Sequence, residues 1–151
     1  MNDADQSRYV YVTFIRTTPQ ALWTALTSEE FNRQYWFGMH QESDWTPGSS
    51  WRLVFADGRT GDAGEILESD PPRRLVIKWR NEFRPELKDE GYARCVMELE
   101  PVDGTVKLTI THTMDRPQSK VIEAVSGGWP RILSNLKSLL ETGTPVFETV
   151  I

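Results

Sequence analysis

Gly127-Gly128-Trp129-Pro130-Arg131-Ile132-Leu133-Ser134-Asn135-Leu136-Lys137-Ser138-Leu139-Leu140-Glu141, followed by Gly143, is the stretch on which the fold turns. At helical spacing Trp129, Ile132, Leu133, Leu136, Leu139 and Leu140 fall on one side, and Arg131, Ser134, Asn135, Lys137, Ser138 and Glu141 on the other. This is the pattern of an amphipathic helix with one apolar stripe and one solvated face. Pro130 is tolerable only in a first turn, where its missing N–H would be unpaired anyway. A start near Ser126 to Gly128 and a helix near residues 127–142 follow, with Gly143 as a left-handed stop. This is the longest apolar helical face in the chain, and most of what precedes it reads as strand. A single long helix after a run of strands must bury its stripe on the sheet those strands make.

Upstream, the period is two. Thr105 to Met114 is the clearest strand, with Val106, Leu108, Ile110, His112 and Met114 alternating against Thr105, Lys107, Thr109, Thr111 and Thr113. Asp103-Gly104 signals a hairpin to Ala93–Leu99, where Cys95, Met97 and Leu99 share a face. Arg74 to Phe83 (Leu75, Ile77 and Trp79 on one face), Gly61 to Ser69, and the segment holding Trp51, Leu53 and Phe55 complete a run of five strands. Short turns between them imply an antiparallel meander. Arg8 to Arg16 reads as a first strand, apolar on both faces. Between it and the meander, Thr18-Pro19 and Ser28 start two short helices, the second carrying Phe31, Tyr35 and Trp36. Phe37 to Ser49 then reads as a loop, long enough to be a lid or binding loop. The expected architecture is α+β: about six antiparallel strands around the C-terminal helix, as one domain over 8–143 with tails at 1–7 and 144–151.

Composition narrows the function classes. The 151 residues suit one domain, and 38% hydrophobic with 26% charged residues is ordinary for a globular protein. Six tryptophans are not ordinary, and suit a core or a pocket wall. A net charge of −5 argues against nucleic acid or an anionic membrane surface as partner. One cysteine excludes an internal disulfide, so with no leader segment the chain reads as cytoplasmic. No apolar run approaches the length of a membrane span.

The order of elements resembles the helix-grip fold of the START and birch-pollen-allergen superfamily (SRPBCC). Leu22-Trp23-Thr24-Ala25-Leu26-Thr27, Tyr35-Trp36, Pro47-Gly48, Asp70-Pro71-Pro72-Arg73-Arg74-Leu75 with Trp79, Thr109-Ile110-Thr111-His112 and Gly128-Trp129 point further. In their order and spacing they are similar to the branch named for activators of the heat-shock-protein ATPase. Where that branch often has a Trp-Trp pair after the second helix, this chain has Tyr35-Trp36-Phe37. The resemblance spans about residues 9 to 143 and implies a cavity between sheet and long helix. It implies no fixed chemistry, because the fold hosts carriers, cyclases, hydrolases and chaperone partners.

Catalytic motifs are absent: there is no HExxH, no Gly-x-Ser-x-Gly and no phosphate-binding loop, and Gly58, Gly61 and Gly64 sit in a hairpin with no following helix. A metal site would have to gather His40, His112, Cys95 and scattered carboxylates, so neither metal nor cofactor is expected. His112 has two readings: a buried imidazole satisfied by a carbonyl or threonine hydroxyl, or a polar handle in an apolar cavity that orients a ligand or acts as acid/base. Of Glu65 and Glu68, at most one can face inward. The expected ligand-binding set is Trp36, Trp51, Leu53, Phe55, Ile77, Trp79, Met97, Ile110, His112, Trp129 and Leu133. The reading favoured is a protein binding an apolar or aromatic small molecule or lipid, with a homodimer possible. Its alternatives are a cyclase- or hydrolase-type enzyme using His112, and a chaperone-interacting protein.

Overall fold

In the computed structural model, which describes residues 5–148, the chain runs β1 (Ser7–Ile15), α1 (Pro19–Thr27), α2 (Glu29–Tyr35), β2 (His40–Ser43), β3 (Ser50–Val54), β4 (Thr60–Asp70), β5 (Arg74–Asn81), α3 (Pro85–Lys88), β6 (Ala93–Val102), β7 (Thr105–Met114) and α4 (Lys120–Thr142). The strands form one sheet of seven, in the order β1-β7-β6-β5-β4-β3-β2, with every neighbouring pair antiparallel. The apolar stripe of α4, with Trp129, Leu133 and Leu136 buried, lies against the inner face of the sheet.

Three differences from the sequence reading have physical causes. The seventh strand is β2, which lies inside the expected loop and pairs with β3 from His40↔Val54 to Ser43↔Trp51. Its four residues, HQES, carry no β-branched or aromatic signal. Instead, side chains pin it. Asn32 Oδ1 accepts from the Gln41 N–H (2.9 Å), Gln41 Nε2 donates to the Leu26 carbonyl (3.2 Å), and the Trp51 indole N–H donates to Gln41 Oε1 (3.0 Å).

The second difference is the start of α4, seven residues before the expected glycine pair. Ser119 is the N-cap, with its Oγ accepting from Ile122 N–H at 3.2 Å. Glu90, from the connection before β6, accepts from the Lys120 and Val121 N–H groups (2.8 and 3.3 Å) and from the Ser119 hydroxyl (2.6 Å). A carboxylate there satisfies orphan donors and complements the positive end of the helix dipole. Val121 and Ile122 add burial against Leu87, Ala93 and Met114. Together these hold a helix through Gly127, Gly128 and an interior Pro130.

Third, β1, apolar on both faces in sequence, is an edge strand with one of those faces in solvent. Its outward residues Val10, Val12 and Phe14 are 42%, 44% and 48% exposed. The "solvated" face of α4 is also more engaged than expected. Lys137 Nζ donates to the Phe14 carbonyl (2.5 Å), and Glu141 accepts from the Arg16 N–H (2.8 Å), which ties helix to edge strand. Arg131 lies over the rings of Phe37 and Phe147 (5.4 and 4.9 Å), and Asn135 Oδ1 accepts from the Phe147 N–H (2.7 Å). Described residues past the helix therefore fold back onto it.

Candidate functional site

Strand register decides which side chains face α4. On β5, Leu75, Ile77 and Trp79 point inward; Ile66 and Gly64, the β4 partners of Ile77 and Trp79, and Asp62, the partner of Asn81, lie on the same face. Gly64 is paired with Trp51 on one side and Trp79 on the other, and the two indoles meet with ring centroids 4.4 Å apart. A Cβ on Gly64 would stand 1.7 Å from the Lys78 carbonyl oxygen, so only glycine allows this approach of β4 and β5. A bulge between Ile66 and Glu68 then resets the alternation, and Glu65 and Glu68 both face outward, Glu68 towards Arg74 and Arg94. The inward carboxylate is Asp62.

Where the ends of β3 to β5 diverge from the first half of α4, a semi-open apolar pocket of about 220 Å³ remains. Its sheet wall is Leu53, Phe55, Asp62, Trp79 and Asn81; its helix wall is Val121, Ala124, Val125, Gly128, Trp129 and Ile132. Trp36 and Met39 close one end, and Phe83, Arg84 and Leu87 the other. The indoles of Trp36, Trp79 and Trp129 lie 5.5–6.3 Å apart, two of the three pairs edge-to-face, so three elements supply one aromatic wall.

Of the residues expected to bind a ligand, Trp36, Leu53, Phe55, Trp79 and Trp129 line this pocket. Trp51, Ile77, Met97, Ile110, His112 and Leu133 belong to the buried interior and do not line it. His112 is fully buried, and its Nδ1 accepts the Trp129 indole N–H at 3.1 Å. Its proton therefore resides on Nε2, which has no partner among the described residues. Burial pushes the imidazole down to a pKa of about 4, so the ring is neutral at pH 7.

Asp62 was absent from the sequence reading. Its side chain is 8% exposed, and Oδ1 has no hydrogen-bond partner among the described residues. Burial raises its pKa to about 7, against the nearby Trp79 indole, which favours the anion; the Glu82 charge adds to the rise. Asp62 is thus poised near neutrality in an apolar wall. Asp62 lies in the Gly61 to Ser69 stretch that reads as a strand, but a carboxylate so close to the Asp57-Gly58 turn reads as solvated. Counting back by twos from the buried Ile66 was the signal that would have found it.

The sheet separates His40, on edge strand β2, from His112 and Cys95, which are partners on β7 and β6. Cys95 is fully buried, and burial pushes its thiol pKa up. His40 instead meets Glu42 (2.8 Å) and Glu29 (3.3 Å), with ligand atoms within 4.8 Å of one another. Arg52 bonds Glu42 (2.7 Å) and Arg33 lies near Glu29 (3.6 Å), so the group is an ion-pair cluster with balanced charge.

A sheet wrapped around a long C-terminal helix, two short helices after the first strand and an apolar pocket between the layers define the helix-grip class. Within it, the chain belongs to the Activator of Hsp90 ATPase homolog 1-like protein family, whose sequence profile matches residues 16–141. Among solved structures it is similar to the Aha1 dimer from Colwellia psychrerythraea: TM-score 0.73, 16% identity, covering 91% of this chain and 98% of that one. An HSP90 activator from Plasmodium falciparum gives TM-score 0.71 and 23% identity, covering 88% and 95%. CalU16 from Micromonospora echinospora gives TM-score 0.71 and 20% identity, covering 90% and 77%. At these identities the likeness is one of fold. No match was found among functionally curated proteins. No helix among the described residues is long and apolar enough to cross a membrane.

Proposed function

We propose that this protein binds a small apolar or aromatic molecule beneath the first half of α4. The observation that carries the reading is the semi-open pocket with its wall of three indoles and one inward carboxylate. Apolar walls with a few converging polar groups are the usual make-up of a ligand site. The volume of about 220 Å³ lies below the roughly 300–1,000 Å³ of drug-sized sites. A ligand of one or two rings therefore suits it better than a lipid chain. An enzyme using His112 gains no support, because that ring stands behind Trp79 and Trp129 and off the pocket wall. The test is titration with neutral aromatic probes, following tryptophan fluorescence. Saturable quenching that disappears when the mouth is blocked by Ala124→Trp, at an exposed helix position lining the pocket, is the expected result. Quenching unaffected by the block would overturn the reading.

A second reading, contact with a chaperone or a second copy of the chain, has its own observation. Val10, Val12 and Phe14 form an exposed apolar stripe on the edge strand, and such edges pair readily with other chains. Related structures include an HSP90 activator and an Aha1 dimer. Light scattering of the wild type and of Val12→Lys, which breaks the stripe, tests for the second copy; an identical monomer mass for both would remove it.

A further inference from the structure

Asp62 is a carboxylate placed on an apolar wall without a cation. The charged groups around it are already committed. Glu82 is paired with Arg80 (2.5 Å) and Lys88 (3.4 Å), and Arg84 at the rim is paired with Glu86 (2.9 Å). Across the pocket α4 presents only Val121, Ala124, Val125, Gly128, Trp129 and Ile132, and β3 and the turn after it present Leu53 and Phe55. A buried acceptor without a donor is costly, and a buried anion without a counter-charge more so. Three indoles line the same pocket, and indole is the side chain best suited to attract an organic cation. A carboxylate and an aromatic wall converging on one small cavity have a common complement: an ammonium group on an apolar body.

We propose that the pocket selects small amines in the ammonium form, with the Asp62 carboxylate accepting an N–H of the ligand and the aromatic wall holding its apolar part. The inference rests on the small-molecule reading above and adds the ligand's charge and donor. Because Asp62 gains its proton near pH 7 in the free protein, selection should strengthen as the solution becomes more alkaline, up to the point at which the amine itself deprotonates.

The experiment compares tryptamine with its neutral isostere tryptophol by calorimetric titration of the full chain, near pH 8 and near pH 6. A charge-assisted hydrogen bond predicts at least about tenfold tighter binding of the amine near pH 8. The preference should shrink near pH 6 and vanish in Asp62→Asn, while tryptophol affinity stays within about twofold. Equal affinity for the two probes near pH 8, or an amine preference that survives Asp62→Asn, would overturn the proposal and leave the pocket reading intact. Binding of neither probe would overturn both. Should Asp62→Asn fail to fold, the pH comparison on the wild-type chain decides alone, since a preference independent of pH contradicts a carboxylate titrating near 7.

Discussion

The Trp129 indole N–H donates to Nδ1 of His112 at 3.1 Å, a bond that crosses from helix α4 to strand β7 in the buried interior. It ties the helix to the sheet at the back wall of the pocket and sets the imidazole tautomer. Around it Trp79 stacks at 5.3 Å from the His112 ring and 5.8 Å from Trp129.

Trp129→Phe should therefore cost more than the lost ring volume. It leaves the His112 acceptor unpartnered, which together with the smaller ring predicts a loss of about 2–4 kcal/mol. The double variant Trp129→Phe with His112→Phe removes both polar partners and should recover part of that loss, since paired apolar replacement is close to neutral. Urea denaturation of the four species gives the coupling directly. Strict additivity would mean that the bond contributes nothing.

Two buried titratable groups, His112 and Asp62, pull stability in opposite directions as pH changes. His112 has a folded pKa lowered from 6.5 to about 4, so its contribution is present above 6.5 and is lost as pH falls towards 4. At 1.36 kcal/mol per pKa unit, the loss reaches about 3 kcal/mol. Asp62 has a folded pKa raised from 3.8 to about 7. Its protonated form is favoured on folding, so that stability is present below 3.8 and is lost as pH rises to 7, by up to about 4 kcal/mol. Asp62→Asn should thus stabilise the protein near pH 8 and barely change it near pH 4. Denaturation curves of the variant and wild type at both pH values check this, and a gain of equal size at both would contradict the assignment.

What the sequence made legible, and what it hid, follows from the range of the forces involved. The period of two placed β5, β6 and β7, and the caps at Thr18 and Ser28 started α1 and α2; both signals lie within a few residues. Trp36, Leu53, Phe55, Trp79 and Trp129 were legible as inward aromatic and aliphatic residues, but alternation cannot distinguish a residue lining a space from one filling it. Trp51, Ile77, Met97, Ile110 and Leu133 share that alternation and are packed solid. The start of α4 was hidden because its capping carboxylate, Glu90, is 30 residues away from Lys120. Asp62 was hidden because a carboxylate close to the Asp57-Gly58 turn reads as solvated unless the count by twos is carried back from Ile66 through Gly64.

His112→Gln separates binding from catalysis. Gln keeps hydrogen-bonding capacity and removes a titratable base, and the ring it replaces is neutral and off the pocket wall. Ligand affinity should hold within about tenfold, since one altered neutral hydrogen bond is worth about 1 kcal/mol. Calorimetry with any ligand found by the probe titrations measures it. A turnover that collapses in His112→Gln with binding preserved would reinstate the acid/base reading.

The last prediction concerns the middle of α4. Gly127 and Gly128 follow each other inside the helix, and Pro130 removes the N–H that would have bonded the Ser126 carbonyl. Three weak positions within four residues divide the helix into a first part that roofs the pocket and a second part locked to the sheet by Leu133, Leu136 and Lys137. Neither glycine is required by space: a Cβ on Gly127 meets nothing within 4 Å, and one on Gly128 meets only the Ile132 Cδ1 at 4.0 Å. Each glycine-to-alanine change should therefore stabilise the helix by about 0.5–1 kcal/mol. If the first part must lift for a ligand to pass, Gly127→Ala, which lies off the pocket wall, will raise the melting temperature and slow both association and release, leaving the equilibrium affinity nearly unchanged. Stopped-flow tryptophan fluorescence reads the two rates. A stabilised Gly127→Ala variant with wild-type rates would show that this glycine serves no opening motion.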